Sequence, residues 1–155
     1  MMNASGLFLV DTNVLVYAHD PRDRDKQAKA FRVLDRLVRS EGAVLSVQFL
    51  SEFFTVVTRR LPERMMPTEA VAQVERLVRS CRVLDLTAAV VLEGCRGSAQ
   101  HQMSVWDALI WAAAKLNQIP HVLTEDAEHG RFLEGVRFLN PFAEAFDTAL
   151  LSSGS

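Results

Sequence analysis

An acidic residue wedged between two apolar runs constrains this chain more than any other feature. Leu7-Phe8-Leu9-Val10 is followed by Asp11, Thr12 and Asn13, and a second apolar run starts at Val14. Four consecutive apolar residues suit a strand buried on both faces. A carboxylate next to such a run is costly to bury without a partner. The economical arrangement is a central strand whose carboxyl end delivers Asp11 into a crevice, where ligands bind in open α/β sheets. The competing reading makes Asp11 the cap of a helix starting near Val14. Thr12 or Asn13 could cap as well, which leaves Asp11 free.

Downstream, the hydrophobic period switches repeatedly. His19 to Asp25 is a polar loop holding Pro21. Ala30, Val33, Leu34, Leu37 and Val38 predict a helix over 26–39, with Gly42 as its stop signal. A strand over 43–47 and a helix over 48–60 follow, the helix presenting Phe49, Phe53, Val56 and Val57 on one face. Pro62 and Pro67 mark a connection, and 68–79 is a further amphipathic helix. A strand over 82–86 leads to Thr87, which can cap a helix ending near Cys95. Gly94, Gly97 and the polar run to Gln102 read as a loop. Ser104 to Asn117 is the clearest helix, with Pro120 just beyond it. Strands are expected over 121–123 and 136–139, then a terminal helix over 141–150 and a frayed tail over 152–155. Strands alternating with helices predict a parallel sheet covered on both faces.

The length of 155 residues suits one domain, and no composition shift marks a boundary within it. A net charge of −2 argues against a strongly basic nucleic-acid binder, though not against local basic patches. No segment is long enough to span a bilayer and no secretory leader is evident, so the expected location is cytoplasmic, away from membranes. Cys81 and Cys95 form no metal-ligand spacing or disulfide framework and read as ordinary thiols.

Four acids stand out by context. Asp11 and Asp126 each follow a predicted strand, and Glu52 lies about one turn into the helix after the second strand. Asp107 occupies the first turn of the helix starting near Ser104. Carboxylates converging on one sheet edge would repel and raise one another's pKa values. A divalent cation relieves that conflict, and oxygen-only ligands favour magnesium or manganese. Each acid also has an ordinary explanation. Asp107 fits a capping box with Ser104, Glu52 could be solvated or pair with Arg59 or Arg60, and Asp126 could form a turn beside Glu125. Asp20 and Asp23 read as solvated loop acids. The histidines show no metal-binding spacing, and neither a Gly-x-Ser-x-Gly elbow nor a phosphate-binding glycine loop occurs. Trp106 and Trp111 read as core or interface residues rather than base-stacking platforms.

Together, Leu-Val-Asp-Thr-Asn-Val-Leu-Val-Tyr at 9–17, Ser-Glu-Phe at 51–53, Trp-Asp-Ala-Leu-Ile at 106–110 and Leu-Thr-Glu-Asp at 123–126 resemble the PIN-domain family. Within it they are similar to the VapC-type toxins of bacterial toxin–antitoxin pairs. The resemblance covers roughly residues 7–142. It implies a single PIN-like domain over 1–155 with a five-stranded parallel sheet in order 3-2-1-4-5. It further implies magnesium-dependent cleavage of RNA by a quartet matching Asp11, Glu52, Asp107 and Asp126. Asp11, Asp107 and Asp126 would hold the metal, while Asn13 and Thr124 would contact the substrate or the carboxylates. A cognate antitoxin and a second copy of the chain are the implied partners. Lys26, Lys29, Arg59 and Arg60 are candidate phosphate contacts. A haloacid-dehalogenase-type phosphatase needs an acid where Asn13 stands. A receiver-type signalling domain needs a lysine where Asn140 and Pro141 follow the last strand. A PIN-like domain that only binds partners would usually lack part of the quartet.

Overall fold

A computed structural model describes residues 6–152. Its sheet contains β1 (Phe8–Val10), β2 (Ala43–Ser46), β3 (Arg82–Leu84), β4 (His121–Leu123), β5 (Phe132–Leu133) and β6 (Val136–Leu139). They lie in the order β3-β2-β1-β4-β6-β5, parallel except for the β5–β6 pair. The five parallel strands follow the expected order, with β6 as the fifth. The sixth strand is a correction. β5 folds back on β6 through Glu134 and Gly135, both at positive φ, which a two-residue hairpin with matching twist requires.

Phe8, Leu9 and Val10 are all fully buried, although successive side chains point to opposite faces. Both faces of β1 are therefore covered. The crossovers are α1 (Thr12–Tyr17), α2 (Arg24–Arg39), α3 (Val47–Arg59), α4 (Pro67–Ser80), α5 (Ala88–His101) and α6 (Val105–Leu116). Short polar side chains start most of them. Asp23 caps α2, Ser46 caps α3, Thr87 caps α5 and Ser104 caps α6, while Pro67 opens α4. Asp23, an exposed loop acid as expected, is thus also a cap.

Two expectations fail for physical reasons. α5 does not end near Cys95 but continues to His101. Its glycines serve packing: a Cβ on Gly94 would meet Leu109 Cδ2 at 3.0 Å, and one on Gly97 would collide with the Trp111 ring. The close approach brings α5 against α6, and residues 108–114 of α6 are all buried. Trp111 is a core residue whose indole N–H donates to the Leu133 carbonyl (3.1 Å), whereas Trp106 is exposed. The C-terminal helix over 141–150 does not form either. Residues 141–146 make turns, and a 3-10 helix spans Thr148–Ser152. Asn140 Oδ1 accepts the Phe142 N–H, an Asx turn that competes with helix initiation. The tail residues 153–155 lie outside the described residues. No helix is long and apolar enough to cross a membrane among the described residues.

Candidate active site

Strand pairing fixes the first acid. Asp11 N–H donates to the Leu123 carbonyl (2.9 Å), extending the β1–β4 ladder one residue beyond Val10. Asp11 thus stands at the carboxyl edge of the central strand and also caps α1. Its side chain is buried, with only 7% of the residue exposed. Oδ1 accepts the Thr12 N–H (2.7 Å), and Oδ2 accepts the Thr124 hydroxyl (2.8 Å) and the Asn13 amide (3.4 Å). Every one of these donors is neutral.

The other side chains gather around it. Asn13 Nδ2 also lies 3.2 Å from Thr124 Oγ1 and 3.2 Å from Asp126 Oδ2, so one amide spans both strand ends. Its Oδ1 accepts the Glu125 N–H (3.4 Å), and Thr124 Oγ1 accepts the Asp126 N–H (3.1 Å). Glu52 enters from α3. Its Oε2 accepts the Thr12 hydroxyl (2.9 Å) and its Oε1 accepts the Gln48 amide (3.0 Å). Neither Arg59 nor Arg60 pairs with it. Glu125, by contrast, has its own cation: Lys26 Nζ reaches it at 2.9 Å and also lies over the Tyr17 ring.

Burial pushes the Asp11 carboxyl up to about 6, and the negative charges of Asp126 and Glu52 push the same way. Hydrogen bonds from Thr124 and Thr12 only partly offset this. The site therefore concentrates negative charge in front of neutral donors. That donor chemistry suits a hard divalent cation bound through oxygen. As the side chains stand, no three acids, histidines or cysteines among the described residues close into a metal cage.

Asp107 stands apart. Its backbone N–H donates to Ser104 Oγ (3.2 Å), so the first half of the capping box forms. The return bond from its carboxylate does not, and that carboxylate has no ion-pair or hydrogen-bond partner among the described residues. α6 leads through a short connection into β4, so its N-terminus faces the same sheet edge as Asp11. Asp107 is nevertheless absent from the residues lining the cleft.

That cleft has a volume of about 370 Å³ and is lined by Asp11, Asn13, Glu52 and Asp126 together with Thr12, Tyr17, Asp20, Arg22 and Arg60. A larger hollow of about 530 Å³ between α2 and the C-terminal segment is lined by Lys29, Arg32 and Arg36, which outnumber its acids Asp35 and Glu144. The concentration of unneutralised acids lies in the smaller cleft. Sequence reasoning missed the roles of Thr12 and Asp20 in the cleft and of Gln48 beside it. Thr12 and Gln48 hold Glu52, a role visible only once α1 and α3 pack together. Asp20, expected to be solvated, is 5% exposed and bound by Arg22. The Asp-Pro-Arg spacing, which lets an Asx turn carry the arginine back, was the available signal.

Several solved structures share this fold. A toxin–antitoxin complex from Klebsiella pneumoniae matches with a TM-score of 0.64 at 14% identity, covering 86% of this chain and 97% of that one. A DNA-bound VapBC from Salmonella typhimurium matches with a TM-score of 0.62 at 17% identity, covering 87% and 98%. VapC20 of Mycobacterium tuberculosis, a toxin that cleaves the sarcin–ricin loop, matches with a TM-score of 0.57 at 23% identity, covering 74% and 86%. No curated protein sequence matches the chain. The family model for the PIN domain matches residues 8–134, which include β1 through β5 and every acid of the cleft, and the chain accordingly belongs to the PIN-domain family.

Proposed function

We propose that this chain is a divalent-metal-dependent endoribonuclease that hydrolyses RNA phosphodiester bonds and serves as the toxin of a toxin–antitoxin pair. One observation carries the reading. Asp11 is a buried carboxylate at the carboxyl edge of the central strand, raised to about 6 and faced by Glu52 and Asp126, with no cation paired to any of the three among the described residues. Such an arrangement destabilises the empty site and favours a bound cation.

Asp11, Asp107 and Asp126 are the residues to hold magnesium or manganese. Such an ion supplies Lewis acidity toward the phosphoryl oxygen and makes water a competent nucleophile near neutral pH. Glu52, held at both oxygens by Thr12 and Gln48, is oriented to accept a proton from the attacking water. Asn13 and Thr124 orient the Asp11 and Asp126 carboxylates and hydrogen-bond the scissile phosphate. The partnerless carboxylate of Asp107, in the first turn of α6, supports its recruitment when the ion binds. The fold likeness to toxin–antitoxin complexes supports an antitoxin partner, and the exposed Val71 and Val78 on α4 offer it an apolar face. A second copy of the chain is the other expected partner.

The test is cleavage of a mixed RNA pool. Wild-type protein should cut with magnesium and stop with EDTA. Asp11→Asn should fold, by circular dichroism, and lose on the order of a hundredfold in rate. A folded Asp11→Asn protein cutting at the wild-type rate overturns the proposal.

A further inference from the structure

The cleft poses an electrostatic problem that its acids alone do not solve. Asp11, Glu52 and Asp126 face a space that a polyanion has to enter. The cations lining the same cleft are Arg22, in the loop between α1 and α2, and Arg60, at the end of α3. They differ in how they are held. Arg60 is exposed and has no carboxylate partner among the described residues. Arg22 is clamped. Its Nε lies 3.0 Å from Asp20 Oδ1 and its Nη2 lies 2.8 Å from Asp20 Oδ2, and its backbone N–H donates to the same Oδ1 (3.1 Å).

The clamp is asymmetric. The Asp20 side chain is 6% exposed, whereas that of Arg22 is 59% exposed. The backbone N–H of Asp20 donates to the Tyr17 carbonyl (3.2 Å), so the carboxylate is anchored to the end of α1. A guanidinium has five N–H donors in a fixed plane. The fork to Asp20 uses its Nε edge and leaves Nη1 for another acceptor. A buried acid that fixes an exposed arginine removes the rotamer freedom the arginine would otherwise lose on gripping a ligand.

We propose that Arg22, oriented by the buried Asp20, grips a backbone phosphate of the RNA strand that enters the cleft. Arg22 is then a substrate-binding residue and Asp20 a positioning residue. The inference rests on the ribonuclease reading for its substrate.

Binding and cleavage are measured separately. The probe is a fluorescent single-stranded RNA oligonucleotide, read by anisotropy in EDTA across a salt series, with magnesium-dependent cleavage assayed in parallel. Arg22→Ala alone strands a buried carboxylate, so the decisive variant is Asp20→Asn with Arg22→Ala, which removes both partners of the pair. It should bind several-fold more weakly, and the slope of log Kd against log salt should fall by about 0.7, the share of one single-strand phosphate contact. In cleavage KM should rise more than kcat falls. Arg22→Lys should lose most of the binding, because a lysine cannot keep the two-point fork and still present a donor. Arg39→Ala, on the outer side of α2, should match the wild type. A folded double variant with wild-type affinity and salt slope overturns the role of Arg22 while leaving the nuclease reading intact. Wild-type protein that binds RNA through Arg22 without cutting it overturns the nuclease reading alone. Wild-type protein that neither binds nor cuts overturns both.

Discussion

Two acidic clusters in this molecule are built in opposite ways. In the cleft, Asp11, Glu52 and Asp126 receive hydrogen bonds from threonine, asparagine and glutamine side chains and from backbone. Beside α5 and α6, Glu93 and Glu134 are surrounded by cations. Arg96 bonds both, Lys115 bonds both (3.3 and 3.2 Å), and His101 Nε2 lies 2.8 Å from Glu134. The consequences are opposite in sign. Asp11 is pushed up to about 6, chiefly by burial, while the His101 and Arg96 hydrogen bonds hold Glu134 down at about 2. The second cluster ties the β5–β6 hairpin to the helices and is complete in itself. The first has no cation paired to Asp11, Glu52 or Asp126 among the described residues, as the proposed metal site requires. Number of acids does not separate a site from a staple; the identity of their partners does.

The sharpest break in that comparison is kinetic. Asp107→Asn and Glu134→Gln each remove one negative charge, one beside the cleft edge and one from the staple. Asp107→Asn should lose on the order of a hundredfold in RNA cleavage with its helix cap intact, because Ser104 makes that bond. Glu134→Gln should cut at the wild-type rate. If Asp107→Asn also cuts normally, Asp107 belongs to the helix and not to the chemistry, and a melting difference of at most about 0.5–2 kcal/mol would be its whole effect.

A second break uses pH in metal-free protein. The folded-state pKa of Asp11 lies above its unfolded value of 3.8, so the folded protein binds the extra proton. Stability attributable to Asp11 is therefore gained as pH falls from above 6 toward 3.8. A shift of about two units corresponds to roughly 3 kcal/mol. Asp11→Asn in EDTA at pH 7 should accordingly melt several degrees above the wild type, and the gap should close near pH 4. Magnesium should raise the wild-type midpoint and not the variant's. A variant that melts lower at pH 7 would show that hydrogen bonds to the anion outweigh its burial.

Much of this was legible in the sequence, and the failures have particular causes. β1 and Asp11 are visible because four apolar residues followed by an acid have few solutions in a sheet. Asp126 follows from the same logic after β4, whereas Asn13 and Thr124 were reached only through the resemblance to the PIN-domain family. The glycines of α5 were misread because intrinsic propensity counts glycine against a helix, whereas here it is the partner helix that needs them. β5 was missed because two residues are too few to show a period. Asp20 was misjudged because burial of an acid depends on a partner, and the local Asp-Pro-Arg signal for that partner, two residues on, went unread. For the glycines the missing information was a contact between elements. Gly97→Ala tests that contact. The added methyl must displace the Trp111 ring, and overpacking of this kind costs about 1–3 kcal/mol. Thermal unfolding should show that loss, while cleavage below the melting range stays unchanged. An unchanged midpoint would mean that α5 shifts freely on α6.

The smallest expected effect is the most specific to the staple. Glu134 has its pKa lowered from 4.5 to about 2, so its contribution is present above pH 4.5 and is lost as pH falls from there toward 2. This is the reverse of Asp11. The side chain is 34% exposed, so salt screens its pairs and the contribution is modest. Glu134→Gln should lower the melting midpoint slightly at pH 7, by less in high salt, and the difference should vanish as pH approaches 2. Amide exchange should locate the change. Protection should fall at Phe132 and Leu133, whose strand is held on one side only by β6, and remain at Leu9 and Val122 in the centre of the sheet. Faster exchange spread evenly over the sheet would mean that the staple supports the whole fold rather than one hairpin. The two acidic clusters would then be coupled, and their opposite pH responses would no longer separate in the wild-type melting curve.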